Sequence, residues 1–469
     1  MVSVLARRRP APVAIAAAFA IAAIAFLIDR RSVWLDEADS AYFATLSLPA
    51  MWHALLHVDG VFALYYALLH VPRHFGDSAV ALRSFSALCA VLSILPVFAT
   101  ANKLYGRTSA AIAVALYASN ARYLYYATEI RPYAMALLFC GFAAWLFACI
   151  ANDGRKRYVV AYVAAAVVAI YSHPLTALFI ASQAISLWAM RPAQATIRTF
   201  ARAYAAIAAL AIPLAIIAYI DGPTQLDWIG KPNLSSLPRF AEGLVGPFAL
   251  VVALSGLVFI AAFRDRFKQT SNTRMLLIWL LCPVVFGAAI SFIEPTSIFV
   301  ARYYLYVLVP IALLAARGLM VAGRRWSFAC AVVLAAAVAQ GLWNLDHYQG
   351  EAWRGVVSYV ASNALPGEPR IVFKGMTATA YQYAFTERSG APDNDVVYPR
   401  EPVFDRHALP APAVYNELRS AHRRVWLIVS HAVPLQEEPV LKWLLRDFSA
   451  TRVRHFAGVD VVTLEPSKV

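Results

Sequence analysis

Three carboxylates fall within four positions at Asp36, Glu37 and Asp39, directly after a first apolar run and among Trp34, Tyr42, Phe43 and Trp52. A carboxylate can take a proton from a hydroxyl or bind a divalent cation, and such aromatics anchor a short helix at a membrane surface, where the three carboxylates face water. Asp36 and Asp39 would share a face of that helix, with Glu37 turned away. The competing reading is N-capping and solvation of the helix. A second group, Glu129 and Arg131, closes the tyrosine-rich stretch Tyr123-Leu124-Tyr125-Tyr126-Ala127-Thr128 and precedes Pro132, a residue suited to a helix start. At membrane depth an unpaired charge costs roughly 2.5–3.5 kcal/mol, so these two must pair or line a polar cavity. Guanidinium donors match a lipid phosphate; a Glu–Arg pair or a snorkelling arginine accounts for them equally. The third group is Tyr171-Ser172-His173-Pro174 with Ala301-Arg302-Tyr303-Tyr304. Arg302, beside Tyr303, is a second phosphate clamp, and His173 can donate to the same group or to a sugar hydroxyl, against the plainer reading of interfacial packing. Lys231 and Arg239, near Trp228, read as surface charges.

Other chemistries find less support. His53/His57 and His70/His74 are two i, i+4 pairs, a spacing that can seat zinc. The pairs lack the glutamate of the HExxH motif and Pro72 interrupts the second, so no metal site is assigned. No cofactor is called for, a divalent cation being the single candidate. The five cysteines, Cys89, Cys140, Cys149, Cys282 and Cys330, all lie in apolar runs, which argues against a disulfide framework. No glycine-rich nucleotide loop is present.

The elements that must position these residues are membrane spans. The 469 residues are 61% hydrophobic and only 14% charged, where a soluble domain carries about a quarter charged. Eleven spans are predicted, at 12–28, 84–101, 109–126, 132–150, 158–171, 175–190, 203–219, 246–262, 275–293, 303–316 and 326–343. Alternate connections hold 18 basic residues against two acidic ones, Asp153 and Asp265, and the rest of the first 343 residues holds 9 basic and 11 acidic. The basic side is cytoplasmic by the positive-inside rule, so the N-terminus is inside and the uncleaved first helix leads to an external loop at 29–83. The net charge of +14 is therefore a topology signal. A nucleic-acid partner would need a soluble basic stripe, which is absent.

Residues 344–469 carry 14 basic and 14 acidic side chains and alternate helical with strand-like runs: Glu351–Leu365, Arg370–Lys374, Pro412–His422, Val425–Val429, Glu438–Phe448 and Val459–Leu464. This pattern predicts a small extracytoplasmic α/β domain with a partly parallel sheet. The expected fold is thus an α-helical polytopic membrane protein with membrane domain 1–343 and external domain 344–469.

Trp34-Leu35-Asp36-Glu37 after a first span resembles the signature of bacterial GT-C membrane glycosyltransferases of the family 39, dolichyl-phosphate-mannose-protein mannosyltransferase-like, group. Ala63-Leu64-Tyr65-Tyr66 with Leu68-Leu69-His70, Leu82-Arg83-Ser84-Phe85-Ser86, Glu129-Ile130-Arg131-Pro132-Tyr133-Ala134, Ser172-His173-Pro174, Arg302-Tyr303 and Trp353-Arg354 follow in the same order. One segment departs: where many members have His-Pro-Pro, this chain has Asp59-Gly60-Val61-Phe62. The resemblance implies a GT-C fold in the bacterial inner membrane and inverting transfer of a sugar from a polyprenyl-phosphate donor to a lipid, glycan or protein acceptor on the outer face. It implies Asp36 as general base with Glu37 beside it, and Arg131, Arg302, Glu129, His173 and Tyr303 at the lipid phosphate or sugar. Phosphate departure develops negative charge that preorganised arginines stabilise, and one-step inversion needs a single carboxylate base. The competing class is a transporter or lipid flippase without covalent chemistry, but transporters gather ionisable residues near the midplane and often show repeated halves. Asp36→Asn is expected to abolish transfer while leaving the protein folded and inserted; undiminished transfer would remove Asp36 from the base role.

Overall fold

The structure is a computed structural model that describes all residues except 1–9, 29–30, 57, 223–225, 267–270, most of 323–349, 401–402, 404–407, 431–434 and 468–469. The chain divides into two compact units: Met1–Asp29, Ser47–Gly76 and Val80–Asp346 form one, and Arg30–Leu46, Asp77–Ala79 and His347–Val469 form the other. The segment bearing Asp36, expected with the membrane domain, belongs to the second unit.

The first unit is helical. Six of its helical segments are long and apolar enough to cross a membrane: Ala79–Tyr105, Tyr133–Asp153, Gln194–Asp221, Phe248–Asp265, Ser271–Ile293 and Ala301–Ala322. The chain is a multi-pass membrane protein, although the eleven expected spans are not all recovered at spanning length. Val159–Ser172 and Thr176–Met190 are helices of 14 and 15 residues, about 21–23 Å long at 1.5 Å per residue. The span expected at 109–126 is broken into Arg107–Ala118 and Ala121–Ala127. Asn120 causes the break: its side chain accepts from the backbone N–H of Arg122 and Tyr123, both at 2.9 Å, and its amide donates to the Val245 carbonyl at 2.9 Å. An asparagine that can cap a new helix competes with continuation of the old one. The last expected span, 326–343, lies largely outside the described residues.

Small residues let these helices approach. A Cβ on Gly318 would lie 2.0 Å from the backbone oxygen of Leu257 in helix Phe248–Arg266. At one end of the same bundle the Asp265 carboxylate, only 3% exposed, is gripped by Arg317 Nε and Nη2 at 3.0 and 2.7 Å and by the Thr273 hydroxyl at 2.6 Å. Tyr105 Oη reaches Thr273 at 2.9 Å. Through these contacts the carboxylate fastens four helices together.

The second unit contains the expected α/β domain. Its sheet has the order β2-β1-β3-β5-β4, from Arg370–Phe373 (β1), Val396–Tyr398 (β2), Val425–Ser430 (β3), Phe448–Phe456 (β4) and Val459–Pro466 (β5). β1 runs parallel to β2 and β3, and β5 runs antiparallel to β3 and β4. β3 is buried along its whole length, as an unbroken apolar run requires of a strand covered on both faces. The core joins Ile371, Leu427, Val429, Val462 and Leu464 to Leu418, Leu441 and Leu444 of flanking helices. The run expected to be helical over Glu438–Phe448 is helical only at Pro439–Leu444, and Phe448 opens the hairpin strand β4. Helix Ala378–Ser389 and strands β2 and β4 were not foreseen.

Gly318→Ala is expected to destabilise the bundle by about 1–3 kcal/mol, as overpacking does, and Gly256→Ala, which meets nothing within 4 Å, to leave it unchanged. Thermal unfolding in detergent tests this; equal midpoints for the two variants would contradict the close crossing at Gly318.

Candidate active site

In the second unit, helix Leu35–Thr45 carries the three carboxylates. Its N-cap, Trp34, offers no side-chain cap, and the cap comes from far along the chain. Glu351 Oε2 accepts the Leu35 N–H at 3.1 Å and the Trp353 indole N–H at 2.6 Å. A carboxylate at a helix N-terminus satisfies an orphan donor and complements the dipole, which fixes the stretch Leu35-Asp36-Glu37 to the C-terminal sequence. The Thr379 hydroxyl donates to Asp39 Oδ1 at 2.7 Å, and the Arg354 N–H reaches Ser32 Oγ at 3.4 Å. Arg354 is itself held by a bidentate pair with Glu387, 2.7 Å on each arm.

The carboxylates differ in exposure, contrary to the expectation that all three face water. Glu37 is 1% exposed and Asp39 8% exposed, while Asp36 is half-buried. Asp39 is taken up by Thr379 of a helix that the sequence pattern did not reveal. Asp36 therefore has the access a proton acceptor needs, and Asp39 is bound into the fold.

In the first unit the remaining candidates meet at one end of the helices. Arg131, 6% exposed, lies just before helix Tyr133–Asp153 and donates from Nη1 to Tyr66 Oη at 3.1 Å; the same nitrogen is 3.7 Å from Asp59 Oδ2. Tyr66 in turn donates to Asp59 Oδ2 at 2.9 Å, so an Asp–Tyr–Arg triangle holds the guanidinium. Asp59 sits in the left-handed region at φ 56°, which aspartate tolerates better than most residues. A Cβ on the next residue, Gly60, would fall 2.6 Å from the Leu55 carbonyl. The segment that departs from the family pattern is thus a tight turn that aims Asp59 and Phe62 at Arg131.

Aromatic faces continue the cluster. The Arg131 guanidinium lies 4.9 Å over the Phe62 ring, and Phe62, Tyr133 and Tyr303 surround the His173 ring at 5.6, 5.9 and 4.9 Å between centroids. Arg302 lies 5.6 Å over Tyr303 and 5.0 Å over Trp228. Cations on ring faces gain electrostatically once water is excluded. The Tyr306 hydroxyl donates to the Leu175 carbonyl at 2.9 Å and so ties the short 3-10 helix Ala301–Val307, which carries Arg302 and Tyr303, to the turn that carries His173.

His173 lies in that turn, outside the helices on either side. Burial, with the positive charges of Arg131 and Arg302, holds its imidazole down at about 3, so the ring is neutral at physiological pH. Glu129 is also buried, at 1% exposed, and its carbonyl accepts the Arg131 N–H at 2.7 Å. Lys231 and Arg239 are exposed. The structure therefore gathers Arg131, His173, Tyr303 and Arg302 into one cationic, aromatic cluster. The sequence reading missed Asp59, Tyr66 and Phe62 as its supports, although Ala63-Leu64-Tyr65-Tyr66 had marked the neighbourhood.

Among the described residues no group of three or more His, Cys, Asp or Glu is placed to hold a metal ion. His70 Nδ1 contacts the Tyr66 carbonyl and His74 Nδ1 the His70 carbonyl, at 3.1 and 2.6 Å; His57 lies outside the described residues.

Residues 59–219 match the family described as dolichyl-phosphate-mannose-protein mannosyltransferase. Among solved structures the fold is similar to ArnT from Cupriavidus metallidurans bound to undecaprenyl phosphate, with TM-score 0.57 and 14% identity over 96% of this chain and 97% of that one. It is also similar to the archaeal oligosaccharyltransferase AglB from Archaeoglobus fulgidus in complex with an inhibitory peptide and a dolichol phosphate, with TM-score 0.53 and 11% identity over 89% and 69% of the two chains. A third similarity, to the arabinofuranosyltransferase AftD from Mycobacteria, has TM-score 0.50 and 16% identity over 96% of this chain and 41% of that one. No curated protein matches the sequence. These similarities establish the GT-C fold expected from the sequence.

Because the folded pKa of His173 is depressed from 6.5, the unfolded chain binds the extra proton first as pH falls. The stability tied to the neutral ring is fully present above about pH 6.5 and is lost progressively toward pH 3, by up to about 1.4 kcal/mol per pH unit. Thermal midpoints between pH 7 and 4.5 are expected to fall less steeply in His173→Gln than in the parent; identical slopes would contradict the assignment.

Proposed function

We propose that this chain is an integral membrane glycosyltransferase that moves a sugar from a polyprenyl-phosphate donor to an acceptor hydroxyl at the outer face of a bacterial inner membrane, with inversion at the anomeric carbon. The observation that carries the reading is the pair of arginines, buried Arg131 and half-buried Arg302, linked by the rings of Phe62, His173 and Tyr303 within a GT-C fold. Such a cluster suits a ligand that is anionic at one point and apolar elsewhere, which describes a lipid phosphate. The matched structures bound to undecaprenyl phosphate and dolichol phosphate support the same class of donor.

The roles follow from the bonds that change. The acceptor oxygen bonds to the anomeric carbon, the carbon–oxygen bond to phosphate breaks, and its electron pair stays on the phosphate. The departing phosphate gains a second negative charge, which Arg131 and Arg302 stabilise; the acceptor proton passes to the half-buried Asp36 carboxylate. Glu37 stands next to Asp36 in helix Leu35–Thr45, Glu129 is buried two residues before Arg131, and Tyr303 packs against His173 and under Arg302. A divalent cation is not needed for this balance. In topology, the N-terminus is cytoplasmic and the α/β domain at 344–469 is extracytoplasmic, the side on which a lipid, glycan or protein acceptor is met. A transporter without covalent chemistry is not favoured, since the charged candidates gather at helix ends.

Purified protein in lipid nanodiscs, given labelled polyprenyl-phosphate sugars with and without chelator, tests the reading. Label should pass to an acceptor, or to water, in the presence of chelator, and Arg131→Ala or Arg302→Ala should each lower the rate about 10²–10³-fold, the typical worth of one preorganised donor to a developing anion. Failure of every labelled donor, or full activity of both variants, would overturn it.

A further inference from the structure

His173 has a property that packing alone does not explain. Its Nδ1 accepts the backbone N–H of Leu175 at 3.3 Å, at the start of helix Thr176–Met190. In a neutral imidazole one nitrogen accepts and the other donates, so this contact places the ring proton on Nε2. Nε2 is buried and has no hydrogen-bond partner among the described residues, and His173 is only 4% exposed. A buried unsatisfied donor costs about 1–3 kcal/mol, and native proteins retain such groups where a ligand completes them.

The surroundings say which ligand. The charged groups bearing on the ring are Arg131 and Arg302, and the rings packed against it belong to Phe62, Tyr133 and Tyr303. Two guanidiniums beside a neutral N–H donor attract an oxyanion and repel a cation. Their positive charge also opposes a proton on Nδ1, so the ring is unsuited to shuttle protons near neutral pH, where a general acid or base must titrate.

We propose that the Nε2–H of His173 donates to a non-bridging oxygen of the phosphate held by Arg131 and Arg302, which makes His173 a fixed hydrogen-bond donor to the lipid phosphate monoester left after transfer. This rests on the donor class given above. The Leu175 amide keeps the ring in the tautomer that carries this donor.

Binding of radiolabelled undecaprenyl phosphate to the full chain in nanodiscs tests it. His173→Phe keeps an aromatic ring and removes the donor; affinity should fall about 10-fold or more, the worth of a hydrogen bond to a charged oxygen. His173→Gln, whose amide can donate, should recover most of that loss. Undecaprenol, which lacks the phosphate, should bind the parent and both variants alike, and inorganic phosphate alone should bind more weakly than the lipid, as a lipid-borne phosphate requires. The inference is overturned if His173→Phe binds undecaprenyl phosphate as the parent does, if His173→Gln loses as much as His173→Phe, if the substitution weakens undecaprenol equally, or if free phosphate binds more tightly than the lipid. A parent that binds no undecaprenyl phosphate removes the donor class together with this inference, whereas a parent that binds and transfers beside an unimpaired His173→Phe removes this inference alone.

Discussion

A guanidinium buried among apolar helices has to be neutralised or solvated by the protein itself, and the arrangement around Arg131 follows from that requirement. Asp59 supplies the counter-charge, Tyr66 bridges the two, and Phe62 receives the cation on its face. Each of these is placed by a local feature that would otherwise look incidental: a left-handed aspartate, a glycine with no room for a Cβ, and a short 3-10 turn leading into helix Ala63–Arg73. Pairing the arginine with one carboxylate at 3.7 Å, with a tyrosine between, holds the guanidinium in position.

The same economy governs the second unit. A helix that starts with Leu35-Asp36-Glu37 needs acceptors for its first N–H groups, and the Glu351 carboxylate supplies one while also receiving Trp353. Because the cap, the Thr379 contact to Asp39 and the Arg354–Glu387 pair all come from the C-terminal sequence, the α/β fold is a scaffold for the carboxylate helix. The sheet is ordered so that the buried strand β3 is central and the exposed strand β4 lies at one edge. The exposed Arg452, Arg454 and His455 of β4 keep that edge soluble.

Charge has three distinct uses in this chain. The excess of basic residues in alternate connections is the asymmetry from which the sequence predicts an orientation of the spans. Asp265, one of only two acidic residues among those connections, is a structural lock for Arg317, Thr273 and, through it, Tyr105. Arg131 and Arg302, few in number and at the other helix ends, are the ones surrounded by aromatic rings. Counting charges distinguishes the first use; only contacts distinguish the second from the third.

The sequence by itself determined the class of the protein, because apolar length and basic asymmetry are properties of a chain read in one dimension: the spans at 84–101, 132–150, 203–219, 246–262 and 275–293 all reappear as long helices. Alternating runs likewise located β1, β3 and β5 of the α/β domain. The candidate residues Asp36, Arg131, His173 and Arg302 were legible by type, since charged and polar residues beside apolar runs stand out. Their partners were not. Asp59 is 72 residues from Arg131, Glu351 is 316 from Leu35 and Thr379 is 340 from Asp39. No periodicity links positions so far apart, and an ordinary aspartate, tyrosine or threonine carries no mark of what it will touch. Tertiary structure alone decided that Asp39 is bound into the fold while Asp36 stays accessible, that Asn120 interrupts a span, and that the Leu175 amide fixes the histidine proton on Nε2. Each depends on hydrogen-bond partners, and those are settled only when burial leaves a polar group no water to choose instead.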